Sequence, residues 1–233
     1  MEQEAAPLIS GLGLSKDDPS VVPKPAPCIS YTGTYSGLEV TVVCNGRCSV
    51  HSVDNVGTVP AAVAAYLAVQ AVQPDLLINA GTAGGFKARG AGIGDIYVSS
   101  KTVNHDRRIP LSGFDMYGHW AIESTPAPNL VKALNLKAGV VSSGNSMDFV
   151  QADLDNMEKQ GAAVKEMEAA GIAWSAHLFG TPFFALKSIT DIVDGGRVAQ
   201  EEFMENLATA AKALHDTLGP VLEFVASKDV SEL

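Results

Sequence analysis

Short apolar runs alternate with helix-forming segments along most of this chain, and this alternation constrains the fold more than any other feature. Strands that alternate with helices form a largely parallel sheet, because each parallel connection needs a crossover that is usually a helix. The sequence therefore predicts an α/β fold with a central mixed, largely parallel β-sheet flanked by helices. The candidate strands are Pro27 to Tyr31, Glu39 to Cys44, Leu76 to Ala80, Ile96 to Val103, Ala138 to Ser143, Ala162 to Glu166 and Phe183 to Thr190.

Two of the candidate helices lie between these strands. Thr58 can cap the first, Pro60 fits its first turn, and the run from Ala61 to Val72 is rich in Ala and apolar residues. The second should follow Met167, where small apolar residues recur at helical spacing. Pro74 separates the first helix from the next strand.

The last candidate helix extends from about Gln200 to Ala226 and carries one apolar stripe. Gly219-Pro220 is expected to kink or break it, since proline cannot donate to the helix. Pro19 to Pro27 is the only linker-like stretch and is expected to be a surface loop. With 233 residues, 46% of them hydrophobic, the chain can bury the core of one domain over 1–233.

Composition and charge argue against several classes of partner. No apolar run reaches the roughly 18 residues of a membrane span, and the first residues lack a basic segment followed by an apolar one. A cytoplasmic location and no membrane partner are therefore expected. The net charge of −10 disfavours binding to nucleic acid, whose phosphates need clustered Lys and Arg. Cys28, Cys44 and Cys48 have no metal-binding spacing and are expected to be idle thiols.

A glycine cluster from Asn79 to Gly85 directly follows the strand-like run Leu76 to Ile78. Glycines at the carboxyl end of a parallel strand let a ligand approach the backbone, and such ends bind ligands in open α/β sheets. The cluster does not match the GxGxxG fingerprint of dinucleotide sites. A tight turn without a ligand is the alternative interpretation.

Acidic residues follow two other strands. Glu166 and Glu168 flank the start of a helix, where they could enter a pocket or simply favour the helix dipole. Asp191 ends a long apolar run, where burial would raise its pKa as a general acid requires, although a turn-initiating role is the alternative. His105-Asp106 is expected to be a loop or interface element, because adjacent strand residues point apart.

Together these segments resemble the purine nucleoside phosphorylase and uridine phosphorylase superfamily, and within it the plant-type 5′-methylthioadenosine nucleosidases. The resemblance extends over nearly the whole chain, in family order, and implies a nucleoside phosphorylase-like fold. The matching segments are Met1 to Leu8, Asp54 to Pro60, Asn79 to Phe86, Gly94-Asp95, His105 to Pro110, Met167-Glu168 and Lys187 to Asp191.

The resemblance implies an N-glycosyl hydrolase that releases adenine from 5′-methylthioadenosine, with S-adenosylhomocysteine as a further candidate substrate, in methionine salvage. Asp191 corresponds to the general acid at adenine N7, Glu168 to the carboxylate that holds the ribose hydroxyls, and Glu4 to the residue that activates water. A placed acid contributes about 10²–10⁴-fold to such a reaction. Two carboxyl groups flanking the scissile bond also parallel an inverting glycosidase.

Four further residues correspond to substrate-binding positions of the family. Thr82 corresponds to a hydroxyl near the ribose, Met167 to a ribose and thioether contact, and Met147 to the side chain stacked on adenine. Lys187 corresponds to a basic residue beside the water site. The resemblance implies no metal, no cofactor and a homodimer, with the segment His105 to Tyr117 near the partner's pocket.

Two other functions remain open from the sequence. In the related phosphorylases an Arg that binds phosphate stands where this chain has Asn79, which favours water as the nucleophile. A phosphorylase would therefore need another anion ligand, for which Arg47 is the candidate. A non-enzymatic storage-type protein of the same fold is the second alternative.

The chain departs from the family pattern at two places. The family's first strand precedes the segment Met1 to Glu4, so that strand is expected to be missing from this sequence and Glu4 to be poorly held. Asn145 stands where the family tends to carry Asp, with an undefined effect on the purine pocket.

Overall fold

The computed structural model describes the backbone of residues 1–233 and the side chains of all of them except Glu2, Gln3 and Asp115. The helices are α1 (Glu2–Gly11), α2 (Thr58–Val72), α3 (Asp115–His119), α4 (Pro128–Ala133), α5 (Gln151–Lys159), α6 (Ala169–Phe179) and α7 (Ala199–Ala226). The strands are β1 (Ser15–Lys16), β2 (Ile29–Tyr35), β3 (Leu38–Cys44), β4 (Leu77–Gly85), β5 (Ile96–Asn104), β6 (Ile122–Glu123), β7 (Lys137–Ser143), β8 (Ala162–Glu166) and β9 (Phe183–Ile192).

The central sheet has six strands in the order β6-β5-β7-β8-β4-β9, and β9 also pairs with β5. The pairs β4–β9, β5–β7 and β7–β8 are parallel, whereas β4–β8, β5–β9 and β5–β6 are short antiparallel pairs. The predicted α/β fold with a mixed, largely parallel sheet is confirmed. The extra β5–β9 pairing closes the sheet on itself. Strands β8, β4 and β9 are neighbours in this closed sheet.

The first two predicted strands belong to a separate antiparallel sheet of order β1-β2-β3. Tyr35 pairs with Leu38 across a turn in which Ser36 and Gly37 both have positive φ. That combination is typical of the two-residue turns that suit twisted hairpins. These strands pack on the sheet from outside, so they do not contribute to the parallel core.

The hydrophobic core lies on both faces of the central sheet. Strand β9 is buried along nearly its whole length, with Phe184, Leu186 and Ile189 fully inaccessible to solvent. On one face it packs with α1, α7 and the β2–β3 hairpin, and on the other with α6. A strand covered on both faces explains why this run has no polar alternation in the sequence.

Helices α2, α6 and α7 confirm the three predicted helices, with two corrections. Gly57, and not Thr58, is the N-cap of α2; the N–H and hydroxyl of Thr58 both donate to Oδ1 of Asn145 at 2.9 Å. Helix α7 continues through Pro220 to Ala226. Its apolar stripe, including Val221 and Leu222, stays buried beyond the proline, so packing outweighs the cost of about 3 kcal/mol for an interior proline.

The first residues of the chain form helix α1, whose Leu8 and Leu12 are buried in the core against α7. The helix is therefore anchored by packing, and it carries Glu4 in its first turn. Among the described residues, the structure contains no helix with the length and apolarity that crossing a membrane requires.

Candidate active site

The candidate site lies at the carboxyl end of β4, where the glycine cluster runs between β8 and β9. Gly84 pairs with Asp191 on β9 and with Lys165 on β8, so these two charged residues flank a glycine in one row across three strands. Neighbouring residues of paired strands project to the same face. The side chains of Asp191 and Lys165 therefore project to the same face on either side of Gly84, which has no side chain.

Asp191 is buried, with 8% of its surface exposed, and accepts a hydrogen bond from the Thr190 hydroxyl at 2.7 Å on Oδ1. Its other oxygen, Oδ2, lies 2.7 Å from where a Cβ on Gly84 would stand, so the site requires glycine there. Burial raises the pKa of Asp191, although the hydrogen bond from Thr190 and the charge of Lys165 partly oppose the rise. The surroundings of Asp191 therefore make this carboxyl a weaker acid than an exposed Asp.

Glu4 reaches the same strand from α1. Its Oε1 accepts hydrogen bonds from the Thr82 N–H at 2.9 Å and from the Thr82 hydroxyl at 2.5 Å, and its Oε2 pairs with the Met1 ammonium. Burial opposes ionisation of Glu4, but the Met1 ammonium and the Thr82 donors outweigh burial and lower its pKa. The expected poor hold on Glu4 is wrong, because two Thr82 donors on a rigid strand fix this carboxylate.

Lys187 and Glu166 form an ion pair with Nζ–Oε2 at 2.9 Å, and both side chains are 1% exposed. Burial opposes the charge on each, but their mutual attraction lowers the pKa of Glu166 and raises that of Lys187. A Cβ on Gly81 would stand 3.5 Å from Lys187 Nζ and 3.8 Å from Glu4 Oε1. Lys187 therefore lies close to Glu4 while it neutralises Glu166.

Glu166 and Glu168 diverge as helix α6 begins. Glu166 accepts hydrogen bonds from the N–H groups of Glu168 and Ala169 at about 3 Å and from the Ser143 hydroxyl. It therefore binds free N–H groups at the start of α6, which was the alternative to a place in the pocket. Glu168 instead accepts from the Gly57 N–H at 3.0 Å. Burial, and then the charge of Glu166, raise the pKa of Glu168.

Met167 lies half-buried between these two acids, and Met147 is 39% exposed on the loop that follows β7. Lys165 Nζ donates to the carbonyls of Ser146 at 3.2 Å and Met147 at 2.6 Å, which fixes this loop beside the row of charged residues. Met147 itself makes no described contact with Asp191 or Glu168.

His105 and Asp106 do not form a catalytic pair. His105 is 1% exposed, its Nδ1 lies 3.1 Å from the Ser142 hydroxyl, and burial lowers its pKa. Asp106 accepts from the Asn145 N–H at 2.6 Å. The expected loop role is confirmed, since Asn145 links this segment to Thr58 at the start of α2.

Glu166 was a sequence candidate for the pocket beside Glu168, whereas Lys165 escaped functional assignment from the sequence. The signal in the sequence was a short strand that ends in two charges, Lys165 and Glu166, since charged residues are rarely buried unless they are paired. No group of three or more metal-ligating side chains is found among the residues with described side chains.

A carboxyl group whose pKa is raised and one whose pKa is lowered thus lie at one strand end. Pairs of titratable groups whose surroundings push their pKa values apart mark acid and base positions. The Glu4 carboxylate can accept a proton from water, and Asp191 can give one to a base. The arrangement suits hydrolysis of a bond whose leaving group needs protonation.

Comparison with known proteins supports this chemistry. A family model described as the phosphorylase superfamily matches residues 1–225. A 5′-methylthioadenosine/S-adenosylhomocysteine nucleosidase of Arabidopsis thaliana is 46% identical over 233 residues, which cover 100% of this chain and 92% of the relative. A 5′-methylthioadenosine nucleosidase of the same plant is 42% identical over 233 residues, 87% of its length.

Solved structures give the same result for the fold. The apo structure of an Arabidopsis thaliana 5′-methylthioadenosine nucleosidase superposes with a TM-score of 0.97 at 42% identity, covering 100% of this chain and 96% of that one. A crystal structure of an MTA/SAH nucleosidase gives a TM-score of 0.98 at 45% identity with the same coverage. The resemblance inferred from the sequence is confirmed, and the chain belongs to the phosphorylase superfamily.

Proposed function

We propose that this chain hydrolyses the N-glycosidic bond of 5′-methylthioadenosine and releases adenine and 5-methylthioribose, as a step of methionine salvage. The observation that carries the proposal is that Asp191 and Glu4 meet β4 near its carboxyl end, at Gly84 and Thr82, with pKa values shifted in opposite directions. The names of the two plant relatives support the substrate class. S-adenosylhomocysteine is the second substrate to assay, because one of those relatives is named for it.

In the proposed reaction Asp191 donates its proton to adenine N7 while the bond between C1′ and N9 breaks and its electron pair moves to the base. Adenine then leaves as a neutral molecule, which avoids a poor anionic leaving group. Water forms the new bond to C1′, and Glu4 accepts the proton that water loses. The hydrogen bonds from Thr82 hold one Glu4 oxygen, so the direction of this carboxylate is fixed before substrate binds.

Glu168 is proposed to hold the ribose hydroxyls and to stabilise the positive charge that develops on the sugar. Its raised pKa in the free site means that binding of a sugar with growing positive charge would favour the ionised form. Thr82 and Met167 are proposed ribose neighbours, and Met147 is proposed to stack on adenine. Lys187 is proposed to act beside the attacking water, at the place where it also pairs with Glu166.

Water is favoured over phosphate as the nucleophile. Asn79 carries no charge, and the guanidinium of Arg47, the candidate anion ligand, donates to the Ser52 carbonyl within its own loop. Phosphate recognition favours a bidentate Arg directed at the ligand. The phosphorylase alternative therefore lacks a free cation at either position.

We also propose a cytoplasmic homodimer. Exposed apolar side chains cluster on two helices that pack together, where the Tyr66 and Phe179 ring centroids are 4.9 Å apart. Such patches on a folded chain mark interaction sites. The exposed apolar residues of this face are Val59, Val63 and Tyr66 on α2 and Trp174, Leu178 and Phe179 on α6.

The substrate proposal is tested by measuring release of the base from 5′-methylthioadenosine, S-adenosylhomocysteine and inosine, which is adenine for the first two and hypoxanthine for inosine. We expect turnover of 5′-methylthioadenosine and none of inosine, whose base lacks the adenine amino group. A chain that releases no base from any of the three would contradict the proposal and favour the storage-type alternative.

A further inference from the structure

Lys165 is a buried lysine that the proposed mechanism does not use. It has 7% of its surface exposed, in the middle of the closed sheet. A buried ammonium group is costly unless it is paired, so its surroundings should show what compensates it. The only described hydrogen-bond acceptors of Nζ are the two carbonyls of Ser146 and Met147.

Those two neutral carbonyls do not neutralise the charge. The register of the sheet places Lys165 and Asp191 on either side of Gly84, which has no side chain to separate them. Neighbouring strands are about 4.8 Å apart, so the side chains of Lys165 and Asp191 can approach each other over Gly84. Asp191 Oδ2 leans over Gly84, and the charge of the Lys165 ammonium acts on this carboxyl across the glycine.

We propose that Lys165 is a positioning residue for the hydrolysis: it supplies the positive charge toward which Asp191 releases its proton, and it holds the loop that carries Met147. The inference rests on the proposed function. An acid gives up its proton more readily when the resulting carboxylate meets a cation. The loop contacts couple that charge to the place where the base of the substrate is proposed to bind.

Other charged groups face the same two residues. Glu202 on α7 approaches Asp191 and opposes its ionisation, whereas Lys165 favours it. Glu166, Asp148 on the loop and Asp153 on α5 surround Lys165, and burial still lowers its pKa. Asp191 has the largest favourable effect on the ammonium among these acids.

The test compares Lys165→Gln, which keeps a hydrogen-bond donor for the loop, with Lys165→Met, which keeps length and loses both charge and donor. Lys165→Arg retains the charge, and Lys212→Gln removes an equal charge from an exposed pair with Asp216 on α7. The Asp191 carboxyl is followed by ¹³C NMR against pH in the free protein, with Asp191→Asn used for assignment. kcat and kcat/KM for 5′-methylthioadenosine are measured over the same range.

We expect the Asp191 titration and the alkaline limb of kcat/KM to move to higher pH by about one unit in Lys165→Gln and Lys165→Met. The acid is active when protonated and a higher pKa keeps it protonated longer, so the limb must move upward. kcat should fall about tenfold, because the proton is held more tightly. Lys165→Arg should restore the titration, and Lys212→Gln should leave both readouts unchanged.

An Asp191 titration that stays unchanged in both neutral variants would overturn the proposal and leave Lys165 as a structural support of the loop. If the Met variant does not fold, the Gln variant still decides. A wild-type chain that releases no adenine would overturn the proposed function, whereas the carboxyl titration would still decide whether Lys165 acts on Asp191.

Discussion

Asp191 and Glu4 approach the same strand end but are driven toward opposite protonation states. Burial raises the pKa of Asp191 despite the hydrogen bond from Thr190, whereas the ammonium of Met1 and two donors from Thr82 overcome burial at Glu4. The difference arises first from the charge of the Met1 ammonium beside Glu4 and then from the larger number of donors that this carboxylate meets. Nothing in the two local sequences distinguishes the residues in this way, because the donors come from other elements.

Replacing Asp191 by Asn tests the general acid. We expect kcat for 5′-methylthioadenosine to fall at least about 10²-fold with the fold intact, because an amide cannot donate the proton that adenine departure needs. Asp194→Asn is a matched control, since Asp194 is exposed and accepts from the N–H groups of Lys87 and Ala88. A variant that keeps more than a tenth of the wild-type kcat would remove Asp191 from this role.

Glu168→Gln tests the charge proposed to face the sugar. A neutral amide can still hydrogen-bond to hydroxyls and to the Gly57 N–H, but it cannot offset positive charge in the transition state. Steady-state kinetics should show the loss mainly in kcat, with KM changed little. If KM alone rises, Glu168 binds substrate and its charge is not used.

At the scale of elements, the Glu166–Lys187 pair ties the start of α6 to β9. Glu166→Gln should lower the free energy of unfolding by about 3 kcal/mol, because it leaves the Lys187 ammonium buried without its partner. The double variant Glu166→Gln, Lys187→Met should lose less than the sum of the two single variants. Urea denaturation of all four proteins measures this coupling.

The exposed pair Lys212–Asp216 on α7 is the control for that cycle. Changing it to Met and Asn should give almost no coupling, since exposed ion pairs contribute little. Additive losses at Glu166 and Lys187 would show that the two side chains are held independently and that the pair does not link α6 to β9.

The elements themselves were largely predictable from local pattern. Strand β8 has the predicted bounds, and the starts and ends of β9 and α7 agree within two residues, because their apolar runs are long and continuous. The errors came from tertiary packing. Asn145, far along the chain, supplies the acceptor that Thr58 was expected to provide, and α7 continues through Pro220 with its apolar stripe buried.

The site was predictable only in part, and the reason is again tertiary. Family resemblance identified Glu4, Glu168 and Asp191 as candidates, and the structure brings Glu4 and Asp191 to β4 and Glu168 within electrostatic reach of Glu4. Glu166 and Lys165 gained their importance from register, because only the pairing of β8 with β4 shows which side chain faces Asp191. The amino-acid sequence alone does not give the strand order or the register, so it cannot show which residues face each other across the sheet.

For the whole molecule, the proposed dimer predicts how the apolar face on α2 and α6 responds to charge. Val63→Glu and Trp174→Glu should shift the chain from dimer to monomer in light scattering, because each places a carboxylate in a buried apolar contact. Val198→Glu is the control, since Val198 is equally exposed before α7. If the molar mass of both interface variants equals that of the wild type, the dimer interface lies elsewhere or the chain does not form a dimer.

The raised pKa of Asp191, the lowered pKa of Glu4 and the uncharged Asn79 support hydrolysis and not phosphorolysis. The most direct measurement identifies the sugar product by mass spectrometry after incubation with 5′-methylthioadenosine in phosphate-free buffer and in buffer containing phosphate. We expect adenine and 5-methylthioribose at the same rate in both, because water supplies the oxygen and no phosphate ligand stands at Asn79. Release of adenine only with phosphate, together with a sugar 1-phosphate, would contradict the account.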